Sequence, residues 1–222
     1  MITDWVLFRR LAYELEGRLR GARVEGAGRL TDGRIGLALR RRGELAVLAV
    51  DAFASPPLLT LEAGGTAGED EPGFVRALAG SLRGMVLAEV RTRRGDRLLR
   101  LRFAARSRFG IGDELELYLE LVPRFGNLVL VKRDRVVAAA KEFSPAENGR
   151  RAVVAGLPYE LPPLPAGDAA SPRLLAAAGD AAAALLEQAL SDAAMREPLY
   201  AYRSDGRLRQ AHVVPLPGFD AA

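Results

Sequence analysis

The residues with the clearest chemical potential are the arginines between positions 76 and 108. These 33 residues contain ten arginines and only two carboxylates, Glu89 and Asp96, which gives a local net charge of +8. The full sequence of 222 residues carries only +4, so the positive charge is concentrated here. A guanidinium group binds two phosphate oxygens in a fork-like geometry, and a row of such groups can follow a nucleic-acid backbone. The stretch therefore predicts a phosphate-binding surface.

The placement of these arginines supports two interpretations. Arg100 and Arg102 alternate with apolar residues and would share one face of a strand. Arg91, Arg93 and Arg94 lie on the strand before it. The compositional alternative is that 30 of the 32 basic residues are arginine, as a GC-rich genome would produce, and that these side chains are only solvated. Both interpretations stay open at this point.

Few aromatic residues accompany the arginines. Phe103 follows the apolar alternation and is predicted to lie in the core, which leaves Phe109 and Phe125 nearby. Proteins that bind single strands without structure depend on rows of aromatic side chains for base stacking. The pattern therefore favours recognition of shape and phosphate over a stacking platform.

Other kinds of chemistry find little support in the sequence. Cysteine is absent and His212 is the only histidine, which excludes disulfides, thiolate zinc sites and a cysteine nucleophile and makes a Ser/His/Asp triad unexpected. The phosphate-binding G-x-x-x-x-G-K-[ST] loop is also missing. Three carboxylates at even spacing, Glu114, Glu116 and Glu120, are interpreted as an exposed strand face, not as a metal site. We expect no enzyme activity, no cofactor and no metal.

Composition places the chain among globular proteins. Hydrophobic residues make up 49% and charged residues 27%, which allows a substantial core. No apolar stretch reaches the ~18–20 residues that a membrane helix requires. The N-terminus lacks the basic start and apolar run of a secretory signal. These features fit a cytoplasmic protein that does not contact membranes.

Hydrophobic periodicity predicts a mixed fold. Leucines every four residues indicate a helix from about residue 4 to residue 20, and the same spacing indicates a second helix from Phe74 to Leu82. Alternating patterns predict short strands between them and an antiparallel meander over residues 85–140. We expect an α+β fold, with a mainly antiparallel β-sandwich or barrel-like core and flanking helices.

The region after residue 165 is predicted to be separate. Prolines over residues 161–167 indicate either a linker or a segment that covers a sheet edge. Ser171-Pro172 indicates the start of a helical stretch that continues to about Met195. A last hairpin is predicted around Ser204-Asp205-Gly206. The expected division is therefore a domain over residues 1–165 and a short helical appendage with a hairpin over residues 166–222.

Three motifs, in order along the chain, resemble the NFACT-N domain, the N-terminal domain of the RqcH/NEMF group that is also labelled fibronectin-binding protein A. The first is Gly95-Asp96-Arg97 at the start of an apolar strand. The second runs from Glu120 to Leu130 and is similar to the family pattern E-x-M-G-R-x-S-N-x-I-L. The third combines separate segments: Lys141, Asn148-Gly149-Arg150-Arg151 and Gly156–Pro163. The helix-hairpin-helix segment of the family is shortened or missing after Pro163.

The resemblance implies a fold similar to the N-terminal domain of formamidopyrimidine-DNA glycosylases, without their catalysis. Those enzymes use an N-terminal proline amine, whereas this chain begins Met1-Ile2. NFACT proteins bind the large ribosomal subunit with its stalled nascent chain and recruit tRNA, alanyl-tRNA in bacteria, for C-terminal tailing. The resemblance assigns tRNA binding to Asp96 and Arg97. A basic face that could also contact RNA would comprise Arg91, Arg93, Arg94, Arg100, Arg102 and Arg124.

Two other functions remain as alternatives. The family label allows a surface adhesin that binds fibronectin, although no export signal is recognisable. The glycosylase-like fold allows a catalytically inactive scaffold that binds nucleic acid.

Overall fold

The structure is a computed structural model that describes residues 5–69, 71–105, 112–122, 125–147, 151–164, 178–204 and 206–216. Its elements, in chain order, are α1 (Trp5–Leu19), β1 (Arg23–Arg29), β2 (Ile35–Arg41), β3 (Glu44–Asp51), β4 (Leu58–Ala63), α2 (Phe74–Leu82), β5 (Val86–Thr92), β6 (Leu98–Ala104), β7 (Glu114–Glu120), β8 (Asn127–Lys132), β9 (Arg135–Ala139), a 3-10 turn (Gly179–Ala181), α3 (Ala182–Leu190), β10 (Tyr200–Ser204) and β11 (Arg207–His212).

The predicted α+β class is confirmed. Leu15 and Leu19 of α1 and Leu78 and Leu82 of α2 are buried, as their four-residue spacing requires. The chain leaves α1 through Gly21, whose φ of 85° suits a residue without a side chain. The predicted start of a helix at Ser171-Pro172 lies outside the described residues.

Nine strands form one antiparallel sheet in the order β4-β3-β2-β1-β5-β6-β7-β8-β9. The predicted meander over residues 85–140 is confirmed as its second half, β5 to β9. The sheet is open, and β4 and β9 form its edges. Strands β2 and β3 approach β7 and β8 across α2, because side chains from all five elements line one small internal cavity: Ile35, Leu37, Leu48, Val50, Phe74, Leu78, Leu117, Leu119 and Leu128.

The β9 edge is covered by a later segment of the chain. The backbone N–H of Val136 donates to the carbonyl of Leu157 at 2.9 Å, and that of Tyr159 donates to the carbonyl of Asp134 at 2.8 Å. Backbone groups at this edge are therefore satisfied within the chain, which reduces the tendency of an edge strand to pair with another molecule. The same contacts bring Tyr159 onto the sheet.

The chain divides into two compact units. The sheet unit comprises Leu15–Arg91 and Leu98–Pro162, and the second, which we call the helical unit, comprises Met1–Glu14, Thr92–Arg97 and Pro163–Ala222. The core of the helical unit combines residues from α1, α3, β10 and the segments that follow α3 and β11: Trp5, Val6, Leu7, Ala189, Ala194, Met195, Tyr202, Val213, Val214 and Leu216. None of the described helices has the length and apolar character needed to span a bilayer. The predicted domain boundary at residue 165 stays a prediction.

Candidate nucleic-acid interface

The turn between β5 and β6 carries the predicted Asp-Arg pair and belongs to the helical unit. The backbone N–H of Asp96 donates to the carbonyl of Arg93 at 3.2 Å, which closes the turn. Gly95 has a φ of 79°, a conformation that an L-residue with a side chain adopts only with strain. The turn therefore has a defined backbone and places three arginines within five residues.

Asp96 is buried, with 5% of its surface exposed. Its Oδ1 accepts the backbone N–H of Arg97 at 2.7 Å, and its Oδ2 lies 3.7 Å from a guanidinium nitrogen of Arg93. These contacts direct the carboxylate into the turn, where it fixes the backbone at Arg97 and attracts Arg93. The half-buried side chain of Arg97 therefore extends from a backbone position that this hydrogen bond holds in place.

Arg94 connects the turn with the core of its own unit. Its guanidinium carbon lies 6.0 Å from the centre of the Trp5 ring, and one of its nitrogens lies 3.6 Å from a carboxylate oxygen of Glu187. Trp5 is buried, so a cation over its face is held against a rigid support. Arg93, Arg94 and Arg97 together with Asp96 and Glu187 carry a summed charge of +1. Trp5 and Glu187 could not be identified from the sequence, because no local pattern connects residues so far apart in the chain.

The predicted basic face on β5 and β6 lies in the sheet unit and is paired with carboxylates. Arg100 contacts Glu89 at 2.8 Å and Glu116 at 3.3 Å. Arg102 contacts Glu114 at 2.9 Å, and Arg91 contacts Glu89 at 3.0 Å. The register of β6 and β7 causes this pairing, because Arg102 lies directly opposite Glu116. Three arginines therefore face three glutamates, and the charge of this surface is balanced.

Glu89 lies at the centre of this network. Burial alone would raise the pKa of its carboxyl group, but the hydrogen bond from Arg91 and the charges of Arg91, Arg100 and Arg102 lower it overall. Glu89 is therefore ionised at neutral pH and holds the three arginines on the strand face. Arg106, Arg108 and Arg124 lie outside the described residues, so the part of the basic face predicted for Arg124 stays a prediction.

The second and third sequence motifs meet in a buried polar network within the sheet unit. Arg151 donates from both terminal nitrogens to the carboxylate of Glu120, at 3.0 Å and 2.5 Å. The hydroxyl of Tyr159 donates to the same carboxylate at 2.9 Å, and the Arg151 guanidinium lies 5.2 Å from the Tyr159 ring centre. The expectation that Glu120 is exposed is wrong, since only 2% of it is exposed. Its buried position requires a partner, and Arg151 supplies it.

Two further contacts explain other residues of these motifs. The side-chain amide of Asn127 donates to the carbonyl of Lys141 at 2.9 Å, and its oxygen accepts the Lys141 backbone N–H at 3.0 Å. Gly126 lies against the backbone of Ala52, where a Cβ would clash with the Ala52 carbonyl. Phe103 is fully buried, as predicted, and His212 is buried with its Nδ1 accepting the backbone N–H of Val214 at 3.3 Å. These residues maintain the fold.

Comparisons with known proteins agree with the motifs. A family model described as NFACT N-terminal and middle domains matches residues 4–194. A search of curated protein sequences found no match.

Several solved structures are similar to the chain. The N-terminal part of the fibronectin/fibrinogen-binding protein from Streptococcus suis aligns with a TM-score of 0.73 at 18% identity, over 98% of this chain and 92% of that one. The fibrinogen-binding protein from Staphylococcus aureus aligns with a TM-score of 0.70 at 15% identity, over 100% and 94% of the two chains. The N-terminal domain of the fibronectin-binding protein PavA from Streptococcus pneumoniae gives 0.60 at 17% identity, over 74% and 66%. At these identities the similarity establishes the fold.

Proposed function

The chain belongs to the NFACT family, and we propose that it binds tRNA and the large ribosomal subunit during quality control of stalled ribosomes. In this proposal it supports C-terminal alanine tailing of the stalled nascent chain and catalyses no reaction itself. Family membership over residues 4–194 is the observation on which the proposal depends. The proposed site of action is the cytoplasm, where stalled ribosomes occur.

The turn of the helical unit is the proposed tRNA site. Arg97 contacts the RNA, and Asp96 is a positioning residue, because its carboxylate accepts the backbone N–H of Arg97 and is 5% exposed. Arg93 and Arg94 add positive charge at the same turn. The strand face with Arg91, Arg100 and Arg102 contributes less, since Glu89, Glu114 and Glu116 already neutralise it.

The test is the affinity for fluorescently labelled tRNA, measured by anisotropy at two salt concentrations. Arg97→Ala should weaken binding by about 1–3 kcal/mol, roughly 5- to 150-fold. Asp96→Asn should cost less than Asp96→Ala, because the amide oxygen can still accept the Arg97 N–H. Arg133→Ala removes an equal charge from an exposed turn in the other unit and serves as the control.

The tRNA-binding measurements distinguish the proposed function from the alternatives. Salt-dependent binding that Arg97→Ala weakens and Arg133→Ala spares supports it. Failure of the unaltered protein to bind tRNA at low salt contradicts it, and so does equal loss in both variants. Co-sedimentation with large subunits that carry peptidyl-tRNA, against empty subunits, then tests the ribosomal part.

The names of the structural neighbours keep fibronectin binding as an alternative. Saturable binding to immobilised fibronectin, unaffected by Arg97→Ala, would favour that function. Equal affinity for tRNA and for duplex DNA would favour the alternative of a catalytically inactive nucleic-acid scaffold.

A further inference from the structure

A second group of arginines lies in the sheet unit, away from the sequence stretch with the highest net charge. We call it the guanidinium patch, and it comprises Arg18, Arg20, Arg23, Arg40, Arg41 and Arg42. Four segments bring these residues together: the C-terminal end of α1 with the residue after it, the start of β1, the end of β2, and the turn between β2 and β3. Five of the six are exposed, and Arg41 is half-buried.

Arg41, the last residue of β2, connects that strand with the C-terminal end of α1. Its Nη1 donates to the carbonyl of Gly17 at 2.6 Å and to the carbonyl of Arg18 at 2.8 Å. Carbonyl groups at a helix C-terminus carry partial negative charge, which would repel an anion. Because Arg41 covers two of these carbonyls, the end of α1 becomes compatible with a bound phosphate.

The patch has more guanidinium groups than carboxylates. Arg20 is paired with Glu16 at 3.4 Å, and Arg40 is paired with Glu25 at 3.2 Å. Arg18, Arg23 and Arg42 have no carboxylate partner among the residues that the structure describes. With the nearby Glu44, six arginines are accompanied by three glutamates, so the patch has a net charge of +3.

One strand pairing places two arginines of the patch side by side. Arg23 lies directly opposite Arg40 in the β1–β2 ladder. Like charges at opposed positions destabilise an antiparallel pair, whereas Arg102 on β6 lies opposite Glu116. The same sheet therefore pairs opposite charges on one face and opposes like charges at the patch. A bound anion would supply the missing negative charge.

We propose that the guanidinium patch binds the phosphate backbone of structured RNA, as a second RNA contact in addition to the Asp96–Arg97 turn. All six basic groups are arginines, which suit bidentate contacts with phosphate oxygens. A membrane surface fits less well, because no large apolar side chain between residues 15 and 52 is exposed among those the structure describes. The inference rests on the proposed function to the extent that the partner is RNA.

The test compares two triple variants of the full chain that lose the same charge. The first is Arg18→Gln/Arg23→Gln/Arg42→Gln. The control is Arg133→Gln/Arg196→Gln/Arg207→Gln, whose sites are also exposed. Arg133 matches Arg42 closely, since both have positive φ values, 49° and 50°. Each variant is titrated with tRNA and with a generic RNA duplex over a range of salt concentrations.

We expect the patch variant to lower the slope of log affinity against log salt by about 2 to 3, and the control to lower it by less than about 1. Equal effects of the two variants would overturn the proposal, because net charge alone would then explain binding. An unchanged slope in the patch variant would also overturn it.

The probes separate this inference from the proposed function. Binding to the duplex but not to tRNA, with loss in the patch variant, would contradict the proposed function and support the patch. Normal tRNA binding by the patch variant, with loss in Arg97→Ala, would support the function and overturn the patch. Absence of binding to either RNA, or binding only to vesicles of phosphatidylserine and phosphatidylcholine, would overturn the inference.

Discussion

The carboxylate of Glu120 accepts hydrogen bonds from both terminal nitrogens of Arg151, although the two residues are 31 positions apart in the chain. Both are nearly excluded from solvent, at 2% and 8% exposure. Burial alone would lower the pKa of Arg151, but the hydrogen bonds and charge of Glu120 raise it overall. The residues through which this chain resembles its family therefore include a pair that maintains the fold.

Arg151→Met should strongly destabilise the sheet unit. The substitution leaves the Glu120 carboxylate buried without its cation, which typically costs about 3–5 kcal/mol. Urea denaturation measures the free energy of unfolding, and Arg133→Met at an exposed turn should change it by less than about 0.5 kcal/mol. The double variant Glu120→Leu/Arg151→Met should recover much of the loss. A loss below about 1 kcal/mol in the single variant would argue against the role of the pair.

Tyr118 and Tyr159 should ionise late in an alkaline titration. Burial is the main cause that raises the pKa of each phenol above its ordinary value of 10.0. The carboxylate of Glu116 raises the pKa of Tyr118 further, and that of Glu120 raises the pKa of Tyr159 further. A raised pKa stabilises the folded state fully below pH 10 and progressively less above it, as the unfolded chain loses these protons first. Phenolate absorbance should therefore show Tyr118 and Tyr159 ionising only on unfolding. Tyr159→Phe should remove part of this late signal, and the absence of a late phase in the unaltered protein would contradict the prediction.

Glu89→Gln should lower the free energy of unfolding at neutral pH. The lowered pKa of Glu89 stabilises the fold above its ordinary value of 4.5, and this contribution is lost as the pH falls through the lower folded value. At pH 7 the variant should lose about 0.5–1 kcal/mol, because Arg91, Arg100 and Arg102 lose a common partner. The difference in free energy of unfolding between the variant and the unaltered protein should become smaller at acid pH. Urea denaturation at neutral and at acid pH measures the loss at pH 7 and its decrease in acid.

The same variant tests whether the strand face contacts RNA. Removing the Glu89 charge leaves three arginines against two glutamates, so tRNA affinity should rise if phosphates approach this face. Unchanged tRNA affinity would indicate that the RNA contacts lie on other surfaces. Glu62→Gln, on the edge strand β4, gives the same charge change as a control.

Gly126→Ala and Gly80→Ala should change stability in opposite directions. A Cβ at Gly126 would lie 2.7 Å from the carbonyl carbon of Ala52, so the two loops would have to separate, at a cost of about 1–3 kcal/mol or more. A Cβ at Gly80, on the exposed side of α2, meets no atom within 4 Å. There alanine should stabilise the helix by about 0.5–1 kcal/mol. Thermal unfolding of both variants measures the contrast, and a stabilising Gly126→Ala would contradict the close approach.

Much of the fold could be predicted because its signals are local. Leucines at four-residue spacing determined α1 and α2, and the alternation of Leu115, Leu117 and Leu119 determined β7. The sequence also predicted Asp96 and Arg97 at a turn, because Gly95 marks one. Each of these inferences depends on residues within a few positions of one another.

The electrostatics could not be predicted in the same way. Glu114 and Glu116 neutralise Arg100 and Arg102 only because β6 and β7 pair in one particular register. On sequence alone these glutamates form a separate exposed face, since no local signal specifies that register. The same limit applies to Arg94, whose partners Trp5 and Glu187 come from opposite ends of the chain.

The position of Trp5 gives the protein a built-in reporter of cooperativity. Trp5 is the only tryptophan and lies in the core of the helical unit, whereas Tyr118 and Tyr159 belong to the sheet unit. Indole fluorescence and late phenol ionisation therefore follow different parts of the molecule. Coincident denaturation curves from the two probes would show that the units unfold together, and separated curves would reveal a partly folded intermediate.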